Sequence, residues 1–152
     1  MSDDILVKGS KADYGNQIET AQLGTAALPG TLVEKTAFTA GDSDYPIVNP
    51  HDAAGIVAHP TFLVGATKPT FGIDDQIDVN EDVEIFRANS GDKVRGLVPT
   101  ATSGSVGDLL VSNGAGLLVA PAAGEEEHAV CIAGENWNNT SGSASRLLVE
   151  PV

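Results

Sequence analysis

The apolar residues of this chain fall into short runs, and glycine, proline or polar clusters separate one run from the next. No window of twelve residues keeps a helical apolar period without a glycine or proline inside it. We therefore predict an all-β protein, a small β-barrel or sandwich, with helix limited to single turns. The pattern predicts nine short strands, at residues 31–35, 55–58, 61–64, 82–87, 93–98, 109–112, 117–120, 128–133 and 145–152.

The strongest turn signal is the dipeptide Asn113-Gly114, which lies between two apolar runs. Asn-Gly is typical of a type I′ hairpin turn, because both central residues of that turn need a positive φ. The runs themselves, Leu109-Leu110-Val111 and Leu117-Leu118-Val119, do not alternate with polar residues. Strands that are apolar on both faces need cover on both faces. In so small a protein we expect another subunit to provide the second cover, which indicates an oligomer.

The first 27 residues have a different pattern from the rest. Their one apolar cluster is Ile5-Leu6-Val7, and Tyr14 and Ile18 stand alone among polar neighbours. We interpret residues 1–27 as an extended N-terminal arm and residues 28–152 as a single β domain. Because the arm precedes the first strong strand, we expect the core to lose little when residues 1–11 are removed.

Charge restricts the partners of the protein. Asp and Glu total 21 against 8 Lys and Arg, which gives a net charge of −13. Such a surface repels phosphate backbones and anionic lipid, so we expect neither direct nucleic-acid binding nor membrane binding. Two interpretations remain open: a surface adapted to high salt, or an ordinary acidic protein with a basic partner. The small number of lysines, five, favours adaptation to salt.

The acidic stretch from Asp74 to Glu84 is the best candidate for a metal site. Asp78, Asn80 and Asp82 have the spacing that begins a calcium-binding loop. However, Val83 occupies the position where that loop needs glycine, and its twelfth position is Asn89 instead of Glu. We therefore predict a solvated acidic loop and no metal site, although the sequence leaves open whether this loop takes up an ion.

Other patterns that could carry chemistry are weak. The three histidines, His51, His59 and His128, show no paired spacing typical of zinc ligands, and no Gly-x-Ser-x-Gly or phosphate loop occurs. Cys131 lies in an apolar run, which is typical of a small buried hydrophobic residue. We predict no catalytic residue, no cofactor-binding residue and no cofactor.

Three further features lie near the two termini. Asn138 and Asn139 begin overlapping glycosylation sequons, which we expect to stay unmodified after assembly in a cytoplasm. Trp137 precedes this polar loop and is equally consistent with a core residue and with a contact residue. Residues 1–30 hold no continuous apolar segment typical of a secretory signal, so we expect the protein to be made, and first to act, in a cytoplasm.

Two sequence motifs carry a resemblance to a known family. One is Pro29-Gly30-Thr31-Leu32-Val33-Glu34; the other is the glycine-based hairpin 107–118, GDLLVSNGAGLL, followed by a β-rich end. Over residues 28–152 the chain resembles the head decoration (capsid cement) proteins of tailed double-stranded DNA viruses. The resemblance implies a compact, β-tulip-like fold, commonly a trimer at local threefold positions, with an N-terminal segment on the capsid surface.

The resemblance also implies a role and a partner. The chain would be a virion structural protein that stabilises the capsid surface as a homotrimer, with the major capsid protein as its partner. We expect its arm to add a strand to a capsid sheet edge. The predicted contact residues of the arm are Ile5, Leu6, Val7, Tyr14 and Ile18. The strong acidity and the long stretch 65–81 depart from the family pattern and suggest the virus of a salt-loving (haloarchaeal) host.

Two alternatives remain open from the sequence. The chain could be a small β-barrel enzyme or ligand-binding module, which would need several of a group of residues in one pocket. That group is His51, His59, Asp74, Asp78 and Trp137. It could also be another virion component, such as a tail or fibre-base protein, because composition does not separate a head protein from these.

Overall fold

The computed structural model describes residues 5–6, 17–38, 45–52, 60–68 and 71–152. Over these residues the protein is all-β, as predicted, and contains a small β-barrel. A single turn of 3-10 helix lies at Glu126–His128. The described strands are β1 (Ile18–Leu23), β2 (Leu32–Phe38), β3 (Pro46–Pro50), β4 (Thr61–Ala66), β5 (Asp82–Arg87), β6 (Val94–Val98), β7 (Thr102–Gly104), β8 (Leu109–Ser112), β9 (Leu118–Val119), β10 (Cys131–Ala133), β11 (Trp137–Asn139) and β12 (Ser145–Pro151).

The first five strands close into a barrel in the order β1-β3-β2-β4-β5. The pairing of β1 with β3 is parallel, and the other pairings are antiparallel. Side chains alternate across each strand, so every second residue faces the interior. The interior is a compact apolar cluster with Leu23, Val48, Leu63 and Ile85 among its fully buried members. The apolar positions of the barrel strands therefore form a core of their own.

One end of the barrel is closed by the segment that connects β4 to β5. Ile77 forms an isolated antiparallel bridge with Ala27, and its side chain is fully buried in the barrel core. Phe71 and Ala66 pack against the same cluster. At the opposite end the inward rows of β1, β2 and β5 reach the charged residues Glu19, Lys35 and Arg87, and a cavity lies among them. Over the described residues the barrel therefore has a closed end and an open end.

A second sheet packs on the outside of the barrel, with the strand order β6-β12-β10-β8-β9. Phe62 and Phe86 extend outward from the barrel and join Leu110, Leu147 and Val149 of this sheet in one buried cluster. The barrel strands β4 and β5 thus bury both of their faces, one in the barrel and one beneath the sheet. This second cluster unites the two sheets into one packed unit.

Arg146 on β12 connects this sheet to loops of the barrel. Its guanidinium donates hydrogen bonds to Asp74 Oδ1 at 2.8 Å, to the Pro29 carbonyl at 3.2 Å and to the Ile73 carbonyl. The Arg146 side chain is mostly buried, whereas the Asp74 carboxylate is exposed. Since two of the three acceptors are main-chain carbonyls, the main role of Arg146 is to fix the positions of the two loops.

A third, two-stranded sheet joins β7 to β11. Trp137 on β11 lies over Gly104, its partner on β7, and packs at the margin of the cluster between barrel and sheet. The buried amide of Asn139 donates to the carbonyls of Pro99 at 3.1 Å and Ser143 at 3.0 Å. The sequence was equally consistent with Trp137 as a core residue and as a contact residue. The structure places it at the edge of the core.

Several predicted strands are confirmed and others were missed. Residues 82–87 and 109–112 agree with β5 and β8. The predicted strand 128–133 is wrong at its start, because His128 ends the 3-10 turn and β10 begins at Cys131. The predicted strand 55–58 lies outside the described residues. The strands that sequence reasoning missed are β1, β3, β7 and β11.

The predicted type I′ turn at Asn113-Gly114 is wrong. Gly114 has a φ of 89° and Gly116 a φ of 79°, but Asn113 does not have a positive φ. The Asn113 side chain accepts hydrogen bonds from Ala115 N at 2.8 Å and Leu117 N at 3.2 Å. This side chain therefore organises a longer loop, 113–117, between β8 and β9, in place of the two-residue turn.

The predicted arm over residues 1–27 also needs correction. Ile18–Leu23 is the barrel strand β1, and it pairs with β5 on one side and β3 on the other. The β fold therefore includes residues that we had assigned to the arm. Its polar positions misled the prediction, because in a closed barrel a strand needs apolar residues on its inward face alone.

Candidate functional site

The residues predicted to contact a capsid do not form one free segment. Ile5 and Leu6 are buried, with exposed fractions of 2% and 8%. The Ile5 carbonyl accepts a hydrogen bond from Arg95 N at 2.9 Å, and Leu6 forms an antiparallel bridge with Val94. These two residues therefore extend their own sheet beside β6. That they contact a capsid stays a prediction.

The other predicted contact residues are placed differently. Ile18 lies in β1, where it is half-buried and packs against the cluster between barrel and sheet. Val7 and Tyr14 lie outside the described residues. The expectation that the core loses little without residues 1–11 is wrong, since Ile5 is nearly fully buried and Leu6 belongs to the same cluster as Leu147.

The outward surface of the second sheet carries three half-buried aliphatic side chains, Leu109, Ile132 and Leu148, which we call the outer sheet face. Ile132 lies directly between Leu109 on β8 and Glu150 on β12. A shallow pocket of about 180 Å³ lies beside them, lined in part by Val106, whose exposed fraction is 60%. The predicted need for cover on the second face of these strands corresponds to this surface.

The open end of the barrel contains a cavity of about 430 Å³. Its polar lining consists of Gln17 and of four strand residues that we call the barrel mouth: Glu19, Lys35, Thr61 and Arg87. Ile18 and Ile85 form its apolar lining. Sequence reasoning did not find this site, because its members come from four strands and are brought together by closure of the barrel.

Charges in the barrel mouth are only partly paired. Lys35 Nζ lies 2.6 Å from Glu19 Oε1, and both side chains are about half exposed. Arg87 has no ion pair among the described residues. Gln17 Nε2 donates hydrogen bonds to the Arg87 carbonyl at 3.0 Å and to Asp92 Oδ2 at 2.6 Å, which fixes the end of β5.

The described residues named for an enzyme or calcium site line neither the cavity at the open end nor the pocket beside the outer sheet face. His51 is buried just after β3, with its Nε2 3.9 Å from Glu34 Oε2, and Asp74 is bonded to Arg146. Asp78 is exposed, and His59 is outside the described residues. Within the described part of the chain, no three His, Cys, Asp or Glu side chains are placed to hold a metal ion.

Two other candidate positions are structural in this fold. Cys131 is fully buried, and burial raises the pKa of its thiol far above the ordinary range, so the thiol stays protonated and unreactive. The Asn139 amide nitrogen is buried and donates to backbone carbonyls, and its oxygen accepts from Ser141. A glycan on Asn139 would break these bonds, whereas Asn138 is exposed.

No helix among the described residues is long and apolar enough to cross a membrane. Comparison of the chain with protein-family models found no match, and comparison with curated protein sequences found no significant match.

Proposed function

We propose that this chain is a capsid decoration protein of a tailed double-stranded DNA virus. It binds the outside of an assembled icosahedral head and stabilises it by bridging neighbouring major capsid subunits. The proposal rests on the two motifs that resemble the decoration proteins, and the contacts between those motifs support it.

The two motifs lie about eighty residues apart and meet in the fold. Leu32 N donates a hydrogen bond to the Gly116 carbonyl at 2.9 Å, and Gly116 N donates to the His51 carbonyl at 3.1 Å. A Cβ on Gly116 would lie 2.5 Å from Thr31 Cγ2, so this position has room for glycine alone. The motifs therefore form one structural unit that joins the barrel to the second sheet. This contact is the structural observation that supports the proposal.

The outer sheet face supplies a surface for trimer formation. Leu109, Ile132 and Leu148 lose their remaining water contact when a neighbouring copy covers them, and burial of apolar area is favourable at about 25 cal/mol per Å². Each trimer then binds the head through three copies of the same contact, so that its occupancy is raised by multivalency. Opening the shell would require breaking these bridges as well as the contacts between capsid subunits.

The direct test uses undecorated heads of the virus mixed with purified protein. We expect saturable binding at a fixed number of copies per head, and a higher temperature for genome release from decorated heads. A control in which the heads are mixed with an equally acidic, unrelated protein excludes effects of charge alone. If the protein neither sediments with heads nor raises the release temperature, the proposal is wrong.

The trimer is tested by a charged substitution on the outer sheet face. We expect Ile132→Glu to lower the measured mass in light scattering from a trimer to a monomer, because a carboxylate there would be buried at the contact. Val79→Glu is the matched control, since Val79 is an exposed aliphatic residue near the closed end of the barrel. A trimer that survives Ile132→Glu would remove this face from the contact.

A further inference from the structure

The barrel mouth combines a cavity with the positive charge of Arg87, which no described acidic side chain pairs, and we propose that it binds a carboxylate group. The cavity volume of about 430 Å³ lies within the range of small-molecule sites, and the mouths of β-barrels are frequent positions for such sites. This inference does not rest on the capsid proposal, because it follows from the charge and shape of the cavity; the two share one residue, Ile18, which lines the cavity and is also a predicted capsid contact.

The charged side chains reach the cavity because of strand alternation. On β5, Val83 and Ile85 face the barrel core, and Arg87 is the next residue on that face. On β1, Ala21 faces the core and Glu19 occupies the preceding inward position. The inward row on these two strands thus changes from apolar to charged at the open end, whereas apolar side chains close the other end.

The charge of the mouth favours a singly charged anion. Among the described lining residues, one Lys and one Arg against one Glu give 2 − 1 = +1, in a chain whose net charge is −13 with only 8 basic residues. The surrounding negative field opposes the entry of any anion and opposes a dianion twice as strongly. A carboxylate is neutralised by the local charge, whereas a phosphate dianion would leave an excess negative charge in the mouth.

Arg87 supplies the geometry of recognition. A guanidinium presents a planar fork of N–H donors that matches the two oxygens of a carboxylate, and the Arg87 fork is not occupied by a described acidic residue. Thr61 lies directly opposite Arg87 in the pairing of β4 with β5. Ile18 and Ile85 offer apolar contact to the carbon atoms of the ligand.

The carboxylate could come from two sources, a free organic acid or an acidic side chain of another protein. Probes that represent each source are sodium butyrate and sodium benzoate on one side, and a Gly-Glu-Gly peptide with blocked termini on the other. Butyramide and inorganic phosphate serve as the neutral and the dianionic comparisons. Titration is followed by the methyl NMR signals of Ile18 and Ile85 in the full chain.

We expect the carboxylates to shift both methyl signals with millimolar affinity, and butyramide and phosphate to shift neither. Binding of the free acids indicates a small-molecule site, and binding of the peptide alone indicates a site for an acidic protein side chain. Either result supports the proposal. If neither the acids nor the peptide shifts these signals, the proposal is wrong.

Three variants identify the charges responsible. Arg87→Gln should weaken carboxylate binding by about tenfold or more, the usual effect of a lost charge-assisted hydrogen bond. Glu19→Gln releases Lys35 and should strengthen binding by about two- to fivefold. Lys68→Gln is the matched control, because Lys68 is an exposed cation that follows β4 at the closed end and pairs with Glu81. Equal affinities for Arg87→Gln and Lys68→Gln would overturn the assignment even if the acids bind.

Discussion

The six-membered ring of Trp137 lies directly against the Cα of Gly104, its partner on the neighbouring strand. A Cβ on Gly104 would lie 2.8 Å from Cζ2 of this ring, closer than real Cβ contacts allow. We expect Gly104→Ala to lower the free energy of unfolding by about 1–3 kcal/mol, because the indole has to leave its position. Chemical denaturation followed by Trp137 fluorescence measures this loss.

The control for that substitution is Gly142→Ala. A Cβ at Gly142 meets no atom within 4 Å, and its φ does not lie in the left-handed region. We expect a change within about 0.5 kcal/mol, as for most surface substitutions. Similar losses for the two variants would show that the contact with the indole is not responsible.

Gly116→Ala should be among the more destabilising single substitutions in the loop 113–117. Gly116 has a φ of +79°, and an added Cβ would lie 2.5 Å from Thr31 Cγ2 and 2.8 Å from the Leu32 carbonyl oxygen. Gly124→Ala shares the left-handed backbone, at a φ of +90°, but meets no atom within 4 Å. The difference between the two unfolding free energies therefore isolates the steric contact, which we expect to cost about 1–3 kcal/mol.

Cys131 should react with thiol reagents only when the whole domain unfolds. The side chain is fully buried, and burial raises the pKa of the thiol above its ordinary value of 9.0. Above pH 9 the Cys131 thiol ionises in the unfolded chain but not in the folded chain, and this ionisation stabilises the unfolded state. The free energy of unfolding therefore keeps its full value below pH 9 and falls as pH rises above it.

The measurement compares urea unfolding of the wild type and Cys131→Ala at pH 8, 9 and 10. We expect the wild type to lose up to about 1.4 kcal/mol more per pH unit above pH 9 than the variant. Parallel pH profiles, or rapid labelling of the native protein, would contradict the burial of this thiol.

Stability should rise with salt. The net charge of −13 produces repulsion among carboxylates, which is screened as the Debye length falls to about 3 Å at 1 M salt. We expect a higher melting temperature in molar salt than in dilute buffer. A melting temperature that is constant or falls over this range would argue against adaptation to a salt-loving host.

Shortening a buried side chain near the N-terminus should destabilise the domain. Because Ile5 and Leu6 are almost fully buried, we expect Leu6→Ala to cost about 2–5 kcal/mol in unfolding free energy, as in other protein cores. Val106→Ala is the control, since Val106 is mostly exposed and should change the free energy little. An equal, small effect of both variants would indicate that the contact with β6 contributes nothing in solution.

The sequence predicted those strands whose signals are local. Residues 82–87 and 109–112 combine apolar runs with flanking turn residues, and the structure agrees with both ranges. Ile18–Leu23 was missed because its inward residues include the small Ala21 and the charged Glu19. Trp137–Asn139 was missed because it is short and mostly polar, and its pairing with β7 is what makes it a strand.

The candidate site was harder to predict for a related reason. Each residue of the barrel mouth is an ordinary surface residue in its own segment, and only the closure of five strands brings them around one cavity. Closure depends on pairings such as the parallel contact of Gln22 with Ile47, which no periodicity reveals. The predicted contact arm was placed by polarity alone, and polarity did not indicate that Ile5 would pair with Arg95.

The pairing of Ile5 and Leu6 beside β6 has a consequence for any assembly that uses this segment. A neighbour whose sheet takes up the segment gains main-chain hydrogen bonds, but the bond from Arg95 N to the Ile5 carbonyl and the bridge between Leu6 and Val94 are lost. The transfer is therefore an exchange between equivalent partners, and its direction depends on side-chain burial at the new position. Until that exchange occurs, the apolar segment and the β6 edge shield each other, which protects the unassembled protein from edge-to-edge aggregation.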